Sequence, residues 1–196
     1  MKLSRRQFFT LLAGLPLAGF LSAAISRSWS QALPPTPPCD DPDEPTPAQT
    51  EGPYFTPDSP KRNSLRESGL QGTALVLTGR VLNTKCQPVG QALLDWWHCD
   101  SAGEYDNKGF HFRGHQYTDA QGNFRLETIV PGIYPGRTRH IHVKVQAPGK
   151  PILTTQLYFP GEAGNQGDGI FKPALLMAVS RKAGSMNAGF TFVLKA

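Results

Sequence analysis

The feature that most constrains the fold is a rhythm of short apolar runs separated by turn residues. Six runs of alternating or β-branched residues are spaced along the chain, at 74–82, 92–98, 123–129, 140–146, 152–158 and 189–194. Turn sequences rich in Gly, Pro and Asp separate them, such as 87–90, 119–122 and 147–150. No long window has a clear 3.6-residue period. The sequence therefore predicts an all-β fold, an antiparallel β-sandwich with long loops and little helix.

The charge of the chain argues against a nucleic-acid partner. The formal net charge is +5, but Lys2, Arg5, Arg6 and Arg27 all lie in the first 32 residues, which contain no Asp or Glu. The rest of the chain carries 16 basic and 15 acidic residues, a net charge of +1. A nearly neutral body without a basic run excludes phosphate-backbone binding as the main activity.

The first 32 residues have the pattern of an export signal. Arg5 and Arg6 precede a mildly apolar run at 8–25, and 30–32 end it with a small-x-small site. This segment resembles a twin-arginine signal cleaved near Ala32, which predicts the twin-arginine export machinery as a partner and a periplasmic or extracellular location. A retained membrane anchor is the alternative, but the glycines and the proline inside the run make it a poor one. The twin-arginine route carries folded proteins, often with a cofactor, which hints at a metal.

After residue 32 the chain begins with a proline-rich stretch, and it contains three cysteines. Seven prolines between residues 33 and 50 predict an extended, exposed linker, so the folded domain is expected at 51–196. Cys39, Cys86 and Cys99 allow at most one disulfide and leave one thiol over. The sequence leaves the pairing open.

The sharpest local motif is a pair of histidines in a predicted strand. His140 and His142 share one face of the run at 140–146, about 7 Å apart, while Ile141 and Val143 point to the other face. A metal can bridge such a pair, but a solvated sheet face is the commoner explanation of His-x-His alone. Two loops strengthen the metal interpretation, because each contains a phenol: Tyr134 lies in the Pro/Gly-framed stretch 131–136, a few residues before the histidines, and Tyr105 ends the stretch 96–105. Taken singly, either tyrosine is more commonly a surface or rim residue.

Taken together, these motifs resemble the intradiol ring-cleavage dioxygenases, the catechol and protocatechuate type, over most of the chain after residue 50. The matching pieces are Glu51 to Phe55, Gly79-x-Val81, Cys86-x-Pro88-Val89, Ala92 to Tyr105, Arg113-Gly114, Thr118-Asp119-x-x-Gly122, Pro131-Gly132-x-Tyr134-Pro135, Arg137-x-x-His140-Ile141-His142 and Thr155 to Gly161. Several motifs in the family's order are far more specific than any one of them.

The resemblance implies a non-haem Fe(III) cofactor held by Tyr105, Tyr134, His140 and His142. Fe(III) is a hard ion that favours phenolate oxygen, and two anionic ligands keep it ferric. The implied reaction takes a small aromatic diol and O2 and breaks the carbon–carbon bond between the two hydroxyl-bearing carbons, which yields a muconate-type diacid. The domain at 51–196 is then the catalytic domain.

The resemblance also implies roles for residues around the iron. Tyr134 matches the ligand that the substrate displaces, and its released phenolate is a general base. Arg137 matches an arginine near the iron, where a fixed cation stabilises negative charge. Gln156 matches an amide close to the site, outside the ligand set.

The remaining aromatic and histidine side chains have weaker assignments. Tyr54 and Tyr158 are equally compatible with the pocket lining and with the core. His98 is interpreted as a strand-end residue, and His111 and His115 as loop residues near the cleft.

The resemblance is not complete, and other functions compete with it. Catechol-type enzymes carry a helical N-terminal region that is missing before Glu51, so the chain is most similar to the iron-binding β chain of the protocatechuate type or to a stand-alone exported enzyme. The sequence leaves open whether the chain forms a homo-oligomer or pairs with a second chain.

The main alternative to an intradiol dioxygenase is an exported transthyretin-like β-sandwich that binds without catalysis. Another alternative is a His-x-His zinc or copper site, although zinc prefers an acidic or third imidazole ligand.

Overall fold

The structure is a computed structural model that describes residues 44–69 and 71–195. Eight strands and two short 3₁₀ turns, Ala163–Gln166 and Pro173–Leu175, make up its regular structure. The strands are β1 (Ala74–Asn83), β2 (Leu93–Trp97), β3 (Arg113–Tyr117), β4 (Asn123–Ile129), β5 (His140–Gln146), β6 (Leu153–Tyr158), β7 (Ala178–Lys182) and β8 (Ser185–Leu194). They form two four-stranded sheets, in the orders β4-β1-β8-β7 and β3-β2-β5-β6. The predicted β-sandwich with little helix is confirmed.

One strand pair departs from the antiparallel pattern. β1 and β8 run parallel over their full length, from Ala74 beside Ser185 to Asn83 beside Leu194, while the other pairs are antiparallel. Parallel neighbours need a long connection, and here the whole chain between these two strands supplies it. The alternation of apolar residues within a strand carries no information about the direction of a partner so distant in sequence.

The sequence did not predict the strands β3 and β7, because neither has the alternation of buried apolar residues that marks a strand. β3 turns Gly114 and Gln116 toward the interior, so it lacks the apolar alternation that marks a strand. β7 is an edge strand whose residues are half-buried or exposed, and it ends in Arg181 and Lys182. Pairing with their neighbours, rather than local pattern, makes these segments strands.

The core lies between the sheets and fixes which face carries polar groups. In β5, Ile141, Val143 and Val145 are fully buried in the core cluster, so His140 and His142 lie on the outer face of the sheet. The register places Trp97 of β2 and Gln156 of β6 on either side of His142.

The segment before β1 is hydrogen-bonded to a strand of each sheet, including the edge strand β6. The backbone N–H groups of Thr46 and Gln49 donate to the carbonyl oxygens of Val193 in β8 and Thr154 in β6, both at 2.9 Å. Residues 44–50, the described part of the predicted linker, are therefore extended but hydrogen-bonded to the sandwich, and several are half-buried. Their prolines remove some ladder donors while the remaining N–H groups still find partners.

Some sequence predictions lie outside the described residues. These are the signal at 1–32, its cleavage site, and linker residues 33–43 with Cys39. Cys86 is disulfide-bonded, and Cys99 is a buried free thiol. Across 44–69 and 71–195, no helix has the length and apolar character needed to cross a membrane.

Candidate metal centre

The four predicted ligands converge at one end of the outer face. His140 and His142 come from β5, Tyr105 from the loop between β2 and β3, and Tyr134 from the loop between β4 and β5. The two Nε2 atoms are 3.1 Å apart, and the Tyr105 hydroxyl lies 3.4 Å from His140 Nε2. The Tyr105 and Tyr134 rings meet edge to face at 5.8 Å. The two imidazole centroids are 4.7 Å apart with the ring planes at 77°, closer than the roughly 7 Å backbone repeat between alternate strand residues.

Two glycines let the two tyrosine-bearing loops approach closely. The N–H of Gly132 donates to the carbonyl oxygen of Asp100 at 2.6 Å. A Cβ added at Gly103 would lie 2.5 Å from the carbonyl oxygen of Ile133, and one added at Gly132 would lie 2.4 Å from the backbone nitrogen of Gly103. Any larger residue would push the Tyr105 and Tyr134 loops apart.

A third phenol, that of Tyr54, joins the cluster. Its ring stacks on Tyr105 with centroids 4.5 Å apart, and its hydroxyl lies 2.8 Å from that of Tyr134. Arg113 is 1% exposed and donates to the carbonyl oxygens of Tyr54 (2.6 Å) and Asp106 (2.9 and 3.1 Å). This buried guanidinium therefore holds the Tyr54 segment against the Tyr105 loop.

Both histidines of the cluster are neutral at physiological pH. Burial lowers the pKa of His140 to about 4 and that of His142 well below its ordinary value. His140 Nδ1 donates to the carbonyl oxygen of Thr138 at 2.6 Å, so the lone pair of this ring is on Nε2. His142 Nδ1 is buried and has no hydrogen-bond partner among the described residues.

This donor set fits a hard metal ion. Two nitrogens that each lie about 2.1 Å from one ion and subtend a right angle are about 3 Å apart, and the Nε2 atoms match that separation. Burial raises the pKa of Tyr105 far above its ordinary value, so its ionisation needs a nearby cation. Within the described chain no three His, Cys, Asp or Glu side chains form a metal-holding group, and the donors beside the two imidazoles are phenols. That composition disfavours zinc.

A buried polar network lies beside the four donors. Arg137 Nε donates to Asp168 Oδ2 at 2.9 Å, and Nη2 donates to Gln156 Oε1 at 2.7 Å. The Gln156 amide in turn donates to the carbonyl oxygen of Thr50 at 2.9 Å, and the Tyr158 hydroxyl donates to Gln156 Oε1 at 3.2 Å. Arg137 and Gln156 thus lie together, and the strand register places Gln156 beside His142.

Asp168 is a residue that sequence reasoning missed. Its side chain is 3% exposed. Burial alone would raise its pKa, but hydrogen bonds from the N–H groups of Thr138 and Ile170 and from Arg137 outweigh that effect and lower the pKa. A buried carboxylate facing Arg137 fixes both the position and the charge of the guanidinium. The aspartate stands in a turn-rich stretch with no local signal of that pairing.

The other three histidines do not join the donor cluster. His98 directly follows β2, as predicted; it is buried, and both ring nitrogens are 2.7 Å from partners, Cys99 O and Thr128 Oγ1. His111 is exposed and pairs with Glu67. The assignment of His115 to a loop is wrong, because it lies within β3 with Nδ1 2.7 Å from the carbonyl oxygen of Ser59.

Comparison with known proteins identifies the family. The family model Dioxygenase_C, described as "Dioxygenase", matches residues 50–195. The chain is 32% identical over 135 residues to catechol 1,2-dioxygenase of Candida albicans, covering 55% of this chain and 45% of the relative. It is 34% identical over 130 residues to the protocatechuate 3,4-dioxygenase beta chain of Burkholderia cepacia, covering 57% and 55%.

A solved structure supports the same relationship. The dioxygenase domain of a dioxygenase carbohydrate-binding protein fusion from Streptomyces sp. SirexAA-E is 57% identical, with a TM-score of 0.76, covering 78% of this chain and 99% of that one. The chain spans about half the length of the curated relatives it matches. It belongs to the dioxygenase family, as its resemblance to the intradiol ring-cleavage enzymes predicts.

Proposed function

We propose that this chain is a non-haem Fe(III) intradiol dioxygenase that cleaves catechol-type diols with O2 to muconate-type diacids. The observation that carries the proposal is the convergence of two buried neutral imidazoles and two phenols on one end of the sheet. The relatives named catechol 1,2-dioxygenase and protocatechuate 3,4-dioxygenase beta chain support the same reaction class.

Tyr105, Tyr134, His140 and His142 would hold the iron. When bound, Fe(III) supplies a Lewis acid that chelates both oxygens of a vicinal diol and lowers their pKa. The protein contributes neutral Nε2 donors that need no deprotonation near pH 7, because burial holds the pKa of His140 at about 4.

Proton transfer from the diol falls to the phenol pair of Tyr54 and Tyr134. The Tyr134 oxygen, when ionised, would be the base that accepts a diol proton. The Tyr54 hydroxyl lies 2.8 Å away, within hydrogen-bond distance, and would donate to the Tyr134 oxygen once that oxygen is ionised. The hydrogen bond with Tyr134 is the main cause that raises the pKa of Tyr54 above its ordinary value.

Arg137 supplies fixed positive charge. Asp168 and Gln156 hold its Nε and Nη2, while Nη1 makes no hydrogen bond within the described part of the chain. A guanidinium held on one edge with free donors on the other stabilises negative charge that develops on the substrate, without reorganisation during the reaction.

Product analysis tests the proposed reaction. With catechol, we expect consumption of one O2 per diol and formation of a muconate-type diacid. Phenol should give no turnover, because one hydroxyl cannot chelate. A yellow semialdehyde product would show cleavage beside the diol, and inertness toward catechol and its alkyl and carboxylated derivatives would favour a binding module; either result contradicts the proposal.

We also propose that the chain is exported by the twin-arginine route. The paired Arg5 and Arg6 before the apolar run at 8–25 support it. The double substitution Arg5→Lys with Arg6→Lys should leave the protein in the cytoplasm, because the pathway reads the arginine pair and not merely positive charge. Cell fractionation and immunoblotting measure the distribution. Unchanged export of the double variant would instead indicate the general secretory route.

A further inference from the structure

Trp97 stacks on the imidazole of His142, and the proposed reaction assigns it no role. The register pairs Trp97 of β2 directly with His142 of β5 on the same face of the sheet. The indole and imidazole rings are 4.7 Å apart and parallel within 9°. Trp97 is 1% exposed, and the Phe55 ring meets its edge at 4.9 Å, so the indole is itself fixed.

The two histidines of the cluster are held differently. A metal-binding histidine normally donates its second ring nitrogen to an oxygen, which fixes the ring plane. His140 follows this rule through Thr138. His142 breaks it, because its Nδ1 is buried without a hydrogen-bond partner among the described residues. Because His142 Nε2, which lies 3.1 Å from His140 Nε2, would be taken up by the metal, something other than a hydrogen bond to Nδ1 must hold the ring of His142.

The contacts of His142 show what holds it. One face of its ring is covered by Trp97, while the His140 ring approaches at 77° with centroids 4.7 Å apart. A Cβ added at Gly52 would lie 3.6 Å from His142 Cε1, so the backbone there lines the ring edge. Among these neighbours, the indole makes the large parallel contact that fixes the ring plane.

We propose that Trp97 is the positioning residue of His142, and that aromatic stacking replaces the missing hydrogen bond in aiming Nε2 at the metal. This inference rests on the proposed iron site. It makes Trp97 necessary for retaining the metal without contact between Trp97 and the metal or the substrate.

Trp96 offers a matched control in the same strand. It is 0% exposed, its Nε1 also lacks a partner among the described residues, and it points to the opposite face, where it packs on Phe124 and Phe192 in the core. Removing either indole therefore removes comparable buried apolar area. Only one of them touches His142.

The experiment compares iron retention in the full chain with Trp97→Leu, Trp97→Phe, Trp96→Leu and Trp96→Phe. Each protein is loaded with Fe(III) alone, and loss of iron to excess EDTA is followed by absorbance, alongside the electron paramagnetic resonance spectrum and the thermal midpoint. We expect Trp97→Leu to speed iron loss by about 10- to 100-fold, the range for losing a group that orients a ligand, and to alter the ferric signal. Trp97→Phe should restore most of the retention, because a smaller ring still stacks.

The Trp96 variants should lower the thermal midpoint but leave the iron-loss rate and the ferric signal at wild-type values. Equal iron loss in Trp97 and Trp96 variants of matched stability, or wild-type retention in Trp97→Leu, would overturn the inference while leaving the iron site intact. If Trp97→Leu does not fold, Trp97→Met and Trp96→Met take the place of the Leu pair: a changed ferric signal in Trp97→Met alone supports the inference, and identical signals in both refute it. A wild-type chain that binds no Fe(III) would refute the proposed function itself.

Discussion

Tyr105→Phe, His140→Ala and His142→Ala are each expected to empty the iron site. Each removes one of the converging donor atoms, whose positions are set by β5 and by the loop after β2. Occupancy should fall from one ferric ion per chain to near zero, and ring cleavage should fall to background. Metal analysis and oxygen uptake on purified variants measure both quantities.

His111→Ala is the matched control for these variants. The His111 ring is exposed and pairs with Glu67, away from the donor cluster, so its loss should leave both iron and activity intact. His98→Ala should also retain iron, but it is a poorer control, because it would leave Thr128 and a backbone carbonyl without their buried partner and lower stability. Loss of iron in His111→Ala together with full occupancy in His140→Ala would contradict the ligand assignment.

Arg137→Ala is expected to keep iron bound and to reduce turnover about a hundredfold, the effect of losing one fixed donor to developing negative charge. The prediction depends on the geometry of the guanidinium, which is held by Asp168 and Gln156 beside the donor cluster and not within it. The loss should fall mainly on kcat, because stabilisation is needed as charge develops. Steady-state kinetics with catechol and metal analysis on the same preparation measure the two effects.

Arg125→Ala serves as the control for that variant, because Arg125 is half-exposed and pairs with Glu127 on the surface. Its turnover should match wild type.

Asp168→Asn should reduce turnover by less than Arg137→Ala does, with Arg137 still present. The amide keeps one acceptor but removes the charge that orients the guanidinium. Wild-type turnover in Arg137→Ala would exclude any role for this cation in the reaction.

The strands that local pattern predicted are those whose alternate residues face the core. β5 shows this most clearly, because its buried aliphatic residues alternate with its histidines. The sequence did not predict β3, because it turns Gly114 and Gln116 inward, or β7, because it is a short edge strand. The parallel pairing of β1 with β8 depends on contacts between distant segments, which no local window encodes.

In the candidate site, too, the sequence predicted the individual donor residues but not the long-range contacts that hold them. The histidine pair followed from strand periodicity, and the tyrosines followed from the resemblance to a family. The contacts that hold them did not: Asp168 on Arg137, Tyr54 on Tyr134 and Trp97 on His142 each join segments far apart in sequence. Such contacts are consequences of sheet register and loop packing, and they become visible only when the chain is folded.

The most direct test of the ferric site is the metal content of the purified wild-type protein together with its electron paramagnetic resonance spectrum. We expect one iron per chain, a high-spin ferric signal, and a reddish colour from tyrosinate charge transfer. This expectation rests on the converging donors Tyr105, Tyr134, His140 and His142. The colour should change when catechol is added without O2, as the diol takes its place at the site. Stoichiometric zinc or copper without a ferric signal, in a colourless protein, would contradict the assignment of this cluster as an iron site.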